Sequence, residues 1–145
     1  MSHAIKKASV TAFCNHPEGA KQAVRKLKKY GFDIKKLSIA GKGYEPCSSL
    51  FIIPSLGPIA VGGPLGGAIV RGFGGGVYFK GLNALREGLC SIGIPKDSLF
   101  RYETALKNGL CLVFVQCGVD EIDAVKSVLT SSKAIEIAVH YSQIN

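Results

Sequence analysis

Between residues 50 and 81 the chain reads LFIIPSLGPIAVGGPLGGAIVRGFGGGVYFKG, and no other stretch restricts the possible folds as much. Ten of the twenty-five residues from 57 to 81 are glycine, and no charge occurs from 51 to 70. An apolar run of about 20 residues can cross a bilayer as a helix. Pro54, Pro58 and Pro64 work against one straight helix, because each removes a backbone donor and crowds the preceding turn. The glycines carry a spacing of their own. Gly62 and Gly66, Gly63 and Gly67, and Gly72 and Gly76 each lie four apart. On a helix that spacing opens a smooth groove where a second backbone can approach closely. Three readings follow for these six glycines: contact with a membrane, packing against protein, or a loop that uses glycine only for turns.

Two ordinary α/β segments flank this insert. Residues 7–14 (KASVTAFC) have the β-branched and aromatic content of a strand. Asn15 or His16 can cap a helix, Pro17 suits its first position, and Glu18 complements its dipole. Ala20, Ala23, Val24, Leu27 and Tyr30 recur at helical spacing and form the expected inner face. Lys21, Arg25, Lys28 and Lys29 take the other side, and Gly31 ends the helix. Residues 36–41 (KLSIAG) read as a second strand.

Beyond the insert, Leu82, Leu85, Leu89 and Ile92 keep a helical rhythm, and the helix is expected to begin near Val77. Gly93 closes it, and Pro95 opens another, with Leu99, Tyr102, Ala105 and Leu106 inward and Gly109 at its end. Residues 110–117 (LCLVFVQC) are almost continuously apolar, as a strand covered on both faces requires. Asp120 and Glu121 start a helix that buries Ile122, Val125, Val128 and Leu129. Residues 134–141 alternate as a closing strand.

Strand–helix–strand twice over predicts a single ferredoxin-like α+β domain across 1–145, with four strands and its helices on one face. The first βαβ half spans 1–43, the glycine-rich helical insert with its following helix 44–93, and a helix with the second βαβ half 94–145. A chain of 145 residues is long enough to bury a proper core.

Charge is uneven. Residues 1–42 hold ten lysines and arginines against Glu18 and Asp33, a balance of 10 − 2 = +8, which equals the net charge of the whole chain. A basic half favours a polyanion or an anionic membrane surface, with Lys21, Arg25, Lys28 and Lys29 as the candidate contacts. Lysines that merely solvate helix and strand ends explain the same charge.

The five cysteines (Cys14, Cys47, Cys90, Cys111 and Cys117) are odd in number and form no CxxC pair. They fit a reducing compartment better than a disulfide framework. The first residues lack the apolar run of a secretory signal. A cytoplasmic location is expected, with association with the inner membrane left open.

Catalytic signals are missing. Cys14 and His16 are neighbours without further metal ligands or a base–orienter set. Asp120, Glu121 and Asp123 suit a helix start, and nothing pairs them across a cleft. The sequence 41–46 (GKGYEP) begins like a dinucleotide fingerprint, but Pro46 stands where its third glycine belongs. No enzyme activity, cofactor or metal is therefore expected.

Two stretches, GFDIKKLSIAGKGY (31–44) and SIGIPKDSLFRYETALKNG (91–109), resemble the bacterial general-stress, heat-induced-stress protein family. The resemblance covers nearly the whole chain in order. It implies the same layout of an α/β start, a glycine-rich apolar middle, a Gly-Ile-Pro helix and a final α/β pair, and it carries no catalytic residues. Fuller members have a further glycine- and tryptophan-rich apolar segment after the position of Tyr44. Here residues 45–50 fill that space, and tryptophan is absent. A two-helix membrane hairpin would then need residues 77–92 as its second arm, where Lys80, Arg86 and Glu87 are costly in lipid.

The expected function is thus a non-enzymatic stress-related protein whose insert associates with a membrane or with copies of itself. A soluble module for a small ligand or anion is the alternative. Nucleic-acid binding comes third, because the strands lack clustered exposed aromatics: Phe13 stands largely alone in the first strand, and Phe114 lies in an apolar run.

Overall fold

The computed structural model describes residues 5–42, 49–70, 76–132 and 134–144, with the side chains of residues 5, 6, 70 and 142–144 left aside. Seven strands and five α-helices occur among these residues. The strands are β1 (Ile5–Cys14), β2 (Leu37–Gly41), β3 (Ser49–Ile53), β4 (Gly57–Gly62), β5 (Gly76–Phe79), β6 (Cys111–Gly118) and β7 (Glu136–Ile144). The helices are α1 (Pro17–Lys29), α2 (Pro64–Val70), α3 (Leu82–Ser91), α4 (Leu99–Lys107) and α5 (Ile122–Ser131). All strands join one sheet in the order β5-β3-β4-β2-β6-β1-β7. Every neighbouring pair is antiparallel except β3 and β5, which run parallel.

Alternation along the strands divides the core in two. Ala8, Val10, Ala12 and Cys14 of β1, Leu37 and Ile39 of β2, and Cys111, Val113 and Val115 of β6 face α1 and α5 on the front of the sheet. Phe13, Ala40, Leu112 and Phe114 face the back, where α2, α3 and α4 supply Leu65, Ile69, Leu85, Leu89, Tyr102 and Leu106. The expected four-stranded layer with helices on one face is therefore incomplete. The insert adds three strands to one side, and its helices cover the back.

Most flank elements fall where periodicity puts them. Pro17 opens α1, and His16 precedes it in extended conformation without a side-chain cap bond. Gly31 has φ of +91° and ends that helix as expected. Tyr30 departs from the expected inner face. It is the last residue of the turn and lies in solvent. The buried β6 and the buried set on α5 match their patterns.

The insert departs further. Residues 51–70 are not one helix but a β3–β4 hairpin followed by the seven-residue α2. The hairpin turns at Pro54 and Ser55, where Leu56 N–H donates to Ile53 O at 3.0 Å. The reason is local. The runs LFII and IAV carry β-branched and aromatic side chains that pair well on a pleated surface, and the prolines separate them from helix-forming context. Val77 begins no helix either, since Val77, Tyr78 and Phe79 belong to β5 and α3 starts at Leu82. Short β-rich segments next to helix patterns are ambiguous by period alone.

Two close approaches fix the insert to the flanks. Gly63 has φ of +85°, and a Cβ there would lie 2.0 Å from Leu37 O. Ser38 Oγ of β2 accepts from Leu65 N–H at 3.0 Å, capping the first turn of α2 from outside. On the back of the sheet, Ser9 Oγ donates to Ile92 O at 2.5 Å, which seats the α3–α4 joint on β1.

Candidate functional site

The five described glycines of this set do not lie on one helix. Gly62 ends β4, Gly63 makes the left-handed turn, Gly66 and Gly67 lie in α2, and Gly76 opens β5 with φ of +112°. Gly72 lies outside the described residues. A groove at spacing four needs one continuous helix, and the turn at Gly63 with Pro64 forbids it. Close helix approach does occur, but inside the chain. Gly88 of α3 meets Ile69 of α2, and a Cβ at Gly88 would stand 2.6 Å from Ile69 Cγ1.

What the insert presents instead is an apolar sheet face. Phe51, Ile53, Ile59 and Tyr78 point into the back core. The alternate positions Leu50, Ile52, Pro58, Val77 and Phe79 therefore point to the front. Register brings them together. Leu50 lies opposite Val77, and Ile52 lies between Phe79 and Pro58. Val77 is 62% exposed and Phe79 80%. Among the described residues, the front helices α1 and α5 pack over β1, β2, β6 and β7 rather than over these three strands, where Leu50 and Ile52 are half-buried. An open depression of about 520 Å³ lies at the end of this face, bounded by Ile52, Pro54, Gly57 and Phe79. Lys80 is the one charged residue among the described residues 49–81. The sequence signal for this face is the alternation of LFII, PIAV and VYF.

The four basic residues of α1 lie away from its buried face. Arg25, Lys28 and Lys29 are exposed and Lys21 is half-buried. Part of this charge is engaged. Arg25 lies 3.6 Å from Glu18, and Lys26 Nζ donates to Ser131 O at 2.9 Å, tying α1 to α5. Because Lys26 faces α5, the helical phase puts Lys21 and Lys28 on the opposite flank of α1, the one bordering the apolar face.

A second concavity of about 570 Å³ lies between α3 and α4, lined by Arg86, Cys90, Lys96, Leu99, Phe100 and Glu103 with Glu87 at its rim. Glu103 is buried, and Arg86 grips both its oxygens, Nε at 2.6 Å and Nη2 at 3.1 Å. The carboxylate in turn holds the Arg86 guanidinium more firmly protonated. Such a pair satisfies a carboxylate that burial would otherwise penalise. Phe100 stands 78% exposed on the wall.

Tyr102 also has a role that core packing alone does not describe. Its hydroxyl lies 2.6 Å from Thr11 Oγ1 and 2.5 Å from His140 Nε2, so α4 is hydrogen-bonded to β1 and β7 at once. Burial raises the Tyr102 pKa, against smaller opposing effects of the Thr11 bond and Arg101. Burial lowers that of His140, assisted by nearby Arg101 and opposed by Asp97. Arg101 also pairs with Glu136 and stacks over the Phe13 ring at 5.3 Å. Each group here has a structural partner.

Cys14, Cys111 and Cys117 are buried, and Cys47 lies outside the described residues. Burial raises the Cys14 thiol and pushes Cys111 up to about 11, with Cys14 itself adding to the effect. Cys117 is also pushed up to about 11, by burial first and then by Glu121 and Asp120. Thiols held in this state carry little thiolate at neutral pH. Among the described residues, no group of three or more His, Cys, Asp or Glu could hold a metal ion. Among the same residues, no helix is long and apolar enough to cross a membrane. No family model, curated protein or solved structure matches this chain.

Proposed function

We propose that this chain is a non-enzymatic, stress-related protein of the cytoplasm that works by association, through the front face of its insert, with itself or with a membrane surface. We read β1–α1–β2 and β6–α5–β7 as a ferredoxin-like frame. The local order β2-β6-β1-β7 with α1 and α5 on one side supports that reading. The resemblance of residues 31–44 and 91–109 to the general-stress family supports the physiological setting.

One observation carries the association. Leu50, Ile52, Pro58, Val77 and Phe79 form a single apolar face among the described residues, half-buried at Leu50 and Ile52 and mostly uncovered at Val77 and Phe79. Contiguous apolar surface of this kind marks an interaction site more often than chance exposure does. Lys21, Arg25, Lys28 and Lys29 contribute attraction to anionic headgroups where the occupant is lipid. The test combines light-scattering mass determination with flotation on vesicles containing anionic lipid. Replacing Val77 and Phe79 together by glutamate abolishes whichever association the wild type shows. A wild type that is monomeric and does not float sinks the proposal.

The second reading, a small-ligand module, is favoured by the α3–α4 concavity and its exposed Phe100. A ligand held there raises the melting temperature in a saturable way, and Phe100→Ala removes the rise. Base stacking on the sheet fits poorly, because Phe13 and Phe114 are buried beneath α4.

A further inference from the structure

We propose that the groove between α1 and α5 binds single-stranded nucleic acid, with one base seated in the groove and the phosphates following the basic side of α1. This surface lies apart from the insert and does not depend on the association reading above.

The groove comes from the way α1 ends. Lys26 Nζ donates to Ser131 O at 2.9 Å and to Ser131 Oγ at 3.3 Å, which ties the two helices together at one point. Past that point α1 stops at Tyr30, and the chain folds back through Gly31 until Phe32 N–H donates to Leu27 O at 3.0 Å. A concavity of about 360 Å³ results, lined by Tyr30, Phe32, Ala124, Ser127, Val128 and Ser131. Val128 is buried and Phe32 half-buried, whereas Tyr30 is 73% exposed and Ala124, Ser127 and Ser131 are also open to solvent. The slot therefore has an apolar floor, an aromatic wall and two hydroxyls at its rim. A nucleobase uses all three, because its faces stack on aromatic side chains and its edge exchanges hydrogen bonds with hydroxyls.

Charge selects a polyanion. Residues 18–36 hold seven of the eighteen lysines and arginines against Glu18 and Asp33, and the Asp123 and Lys126 of α5 balance each other. Asp33 is engaged locally, its Oδ1 accepting from Lys35 N–H at 2.9 Å. With 3.6 residues per turn, Lys26, Lys29, Arg25 and Lys28 follow one another round α1 in steps of about 40–60°. The series starts at the groove, where Lys26 spends two of its three donors on Ser131 and keeps one for a phosphate. Asp123 lies one turn before Ser127, toward the opposite end of the groove from Ser131, so the cationic path leaves on the Lys26 side.

Other anionic partners fit less well. The outward ridge of α1 is Glu18, Gln22, Arg25 and Lys29, with no apolar side chain to enter a bilayer. Tyr30 stands about a third of a turn away from that ridge, out of reach of a flat surface resting on it. Acidic side chains of a peptide satisfy the cations but put no ring in the slot. The sheet itself offers bases no platform, so the front helices are the place where aromatic and cationic groups meet.

The experiment is fluorescence anisotropy of the full chain with a short labelled single-stranded oligonucleotide of mixed sequence. An abasic oligomer of the same length, polyglutamate and vesicles containing anionic lipid are measured beside it. Oligonucleotide affinity is expected to fall with salt at a log–log slope of about −3, from four phosphates at about 0.7 each. Tyr30→Ala weakens binding at least about fivefold without changing that slope, and Tyr30→Phe restores it. Lys29→Gln makes the slope shallower by about 0.7. Lys107→Gln, on α4 behind the sheet, alters neither quantity. Circular dichroism verifies the fold of each variant. An oligonucleotide that does not bind, or whose binding ignores Tyr30→Ala, overturns the proposal. Equal affinity for the abasic oligomer or polyglutamate overturns it as well, since charge alone then explains the binding. Vesicles that bind where the oligonucleotide does not assign the surface to lipid and overturn it too.

Discussion

The flanking α/β segments and the insert between them differ in how their apolar residues are used. In the flanks each apolar stripe meets one partner. Ala20, Ala23 and Leu27 meet the sheet, Ile122, Val125 and Leu129 do the same, and β6 is covered on both faces. In the insert the strands bury one face more than the other. Phe51, Ile53, Ile59 and Tyr78 are committed to the core, while Leu50, Ile52, Val77 and Phe79 remain at the surface. The insert also contains close approaches at Gly63, where a Cβ would meet the backbone of β2, and at Gly88, where it would meet Ile69. The lesson is that glycine and apolar richness serve two separate ends here. The glycines at those points let the insert dock on its own chain, and the alternate positions of the strands carry the apolar face on which the proposed association rests.

The sharpest way to break this comparison is at the joint between the two regions. Gly63→Ala puts a Cβ against Leu37 O in a left-handed backbone, so strain and clash add. Gly31 has a similar φ of +91° but nothing within 4 Å of its Cβ position. Gly31→Ala is expected to cost about 1 kcal/mol from backbone strain alone. Gly63→Ala is expected to cost about 4 kcal/mol or more, in the range that marks a disrupted core. Urea unfolding of the two variants separates the terms. Equal losses would mean that α2 is not anchored on β2 and that the insert is docked loosely.

A smaller effect is expected where α4 grips the frame. Tyr102→Phe keeps the ring between Phe13 and Phe114 and removes the hydroxyl shared by Thr11 and His140. Leaving the buried Thr11 hydroxyl without this partner costs about 1–3 kcal/mol. The same site sets a pH dependence. The folded pKa of His140 is lowered, so below the ordinary value of 6.5 the unfolded chain binds the proton more readily than the folded one. The His140 contribution is fully present above pH 6.5 and is lost as pH falls through that value toward the folded pKa. Stability measured from pH 7.5 down to 5 falls more steeply for wild type than for His140→Gln. Parallel curves would refute the burial of His140 against Tyr102.

The flanks were legible because a helix cap, a period and a terminating glycine agreed at each element. Pro17, the stripe of Ala20, Ala23 and Leu27, and Gly31 define α1 from three independent sides. The insert lacked that agreement. A spacing of four between glycines has meaning only on a helix, and nothing in the composition shows where Gly63 turns left-handed. The parallel pairing of β5 with β3 is a long-range choice between short strands, and local pattern does not contain it. Tyr102 and His140 lie 38 positions apart, and their bond exists only after α4 crosses β1 and β7. The apolar face was half-written in the text. LFII and VYF alternate correctly, but which alternate set is left out of the core depends on where the front helices stop.

The smallest expected effect lies inside the insert, at the β3–β4 turn. Pro54 and Ser55 occupy the middle of a turn closed by Leu56 N–H on Ile53 O, and Ser55 has φ of +73°. That geometry matches a type II turn, which favours glycine at its third position. Ser55→Gly removes the left-handed strain of an L-residue, about 1 kcal/mol, and adds back part of it as unfolded-chain entropy. The net expectation is a stabilisation of a few tenths of a kcal/mol, read as a slight rise in melting temperature. The flanks contain no comparable relief, since every other described residue with positive φ is already glycine. A fall in melting temperature on Ser55→Gly would mean that the serine side chain makes a contact worth more than the strain. The turn would then be built as carefully as the flank caps, and the contrast between an optimised frame and a compromised insert would narrow at this position.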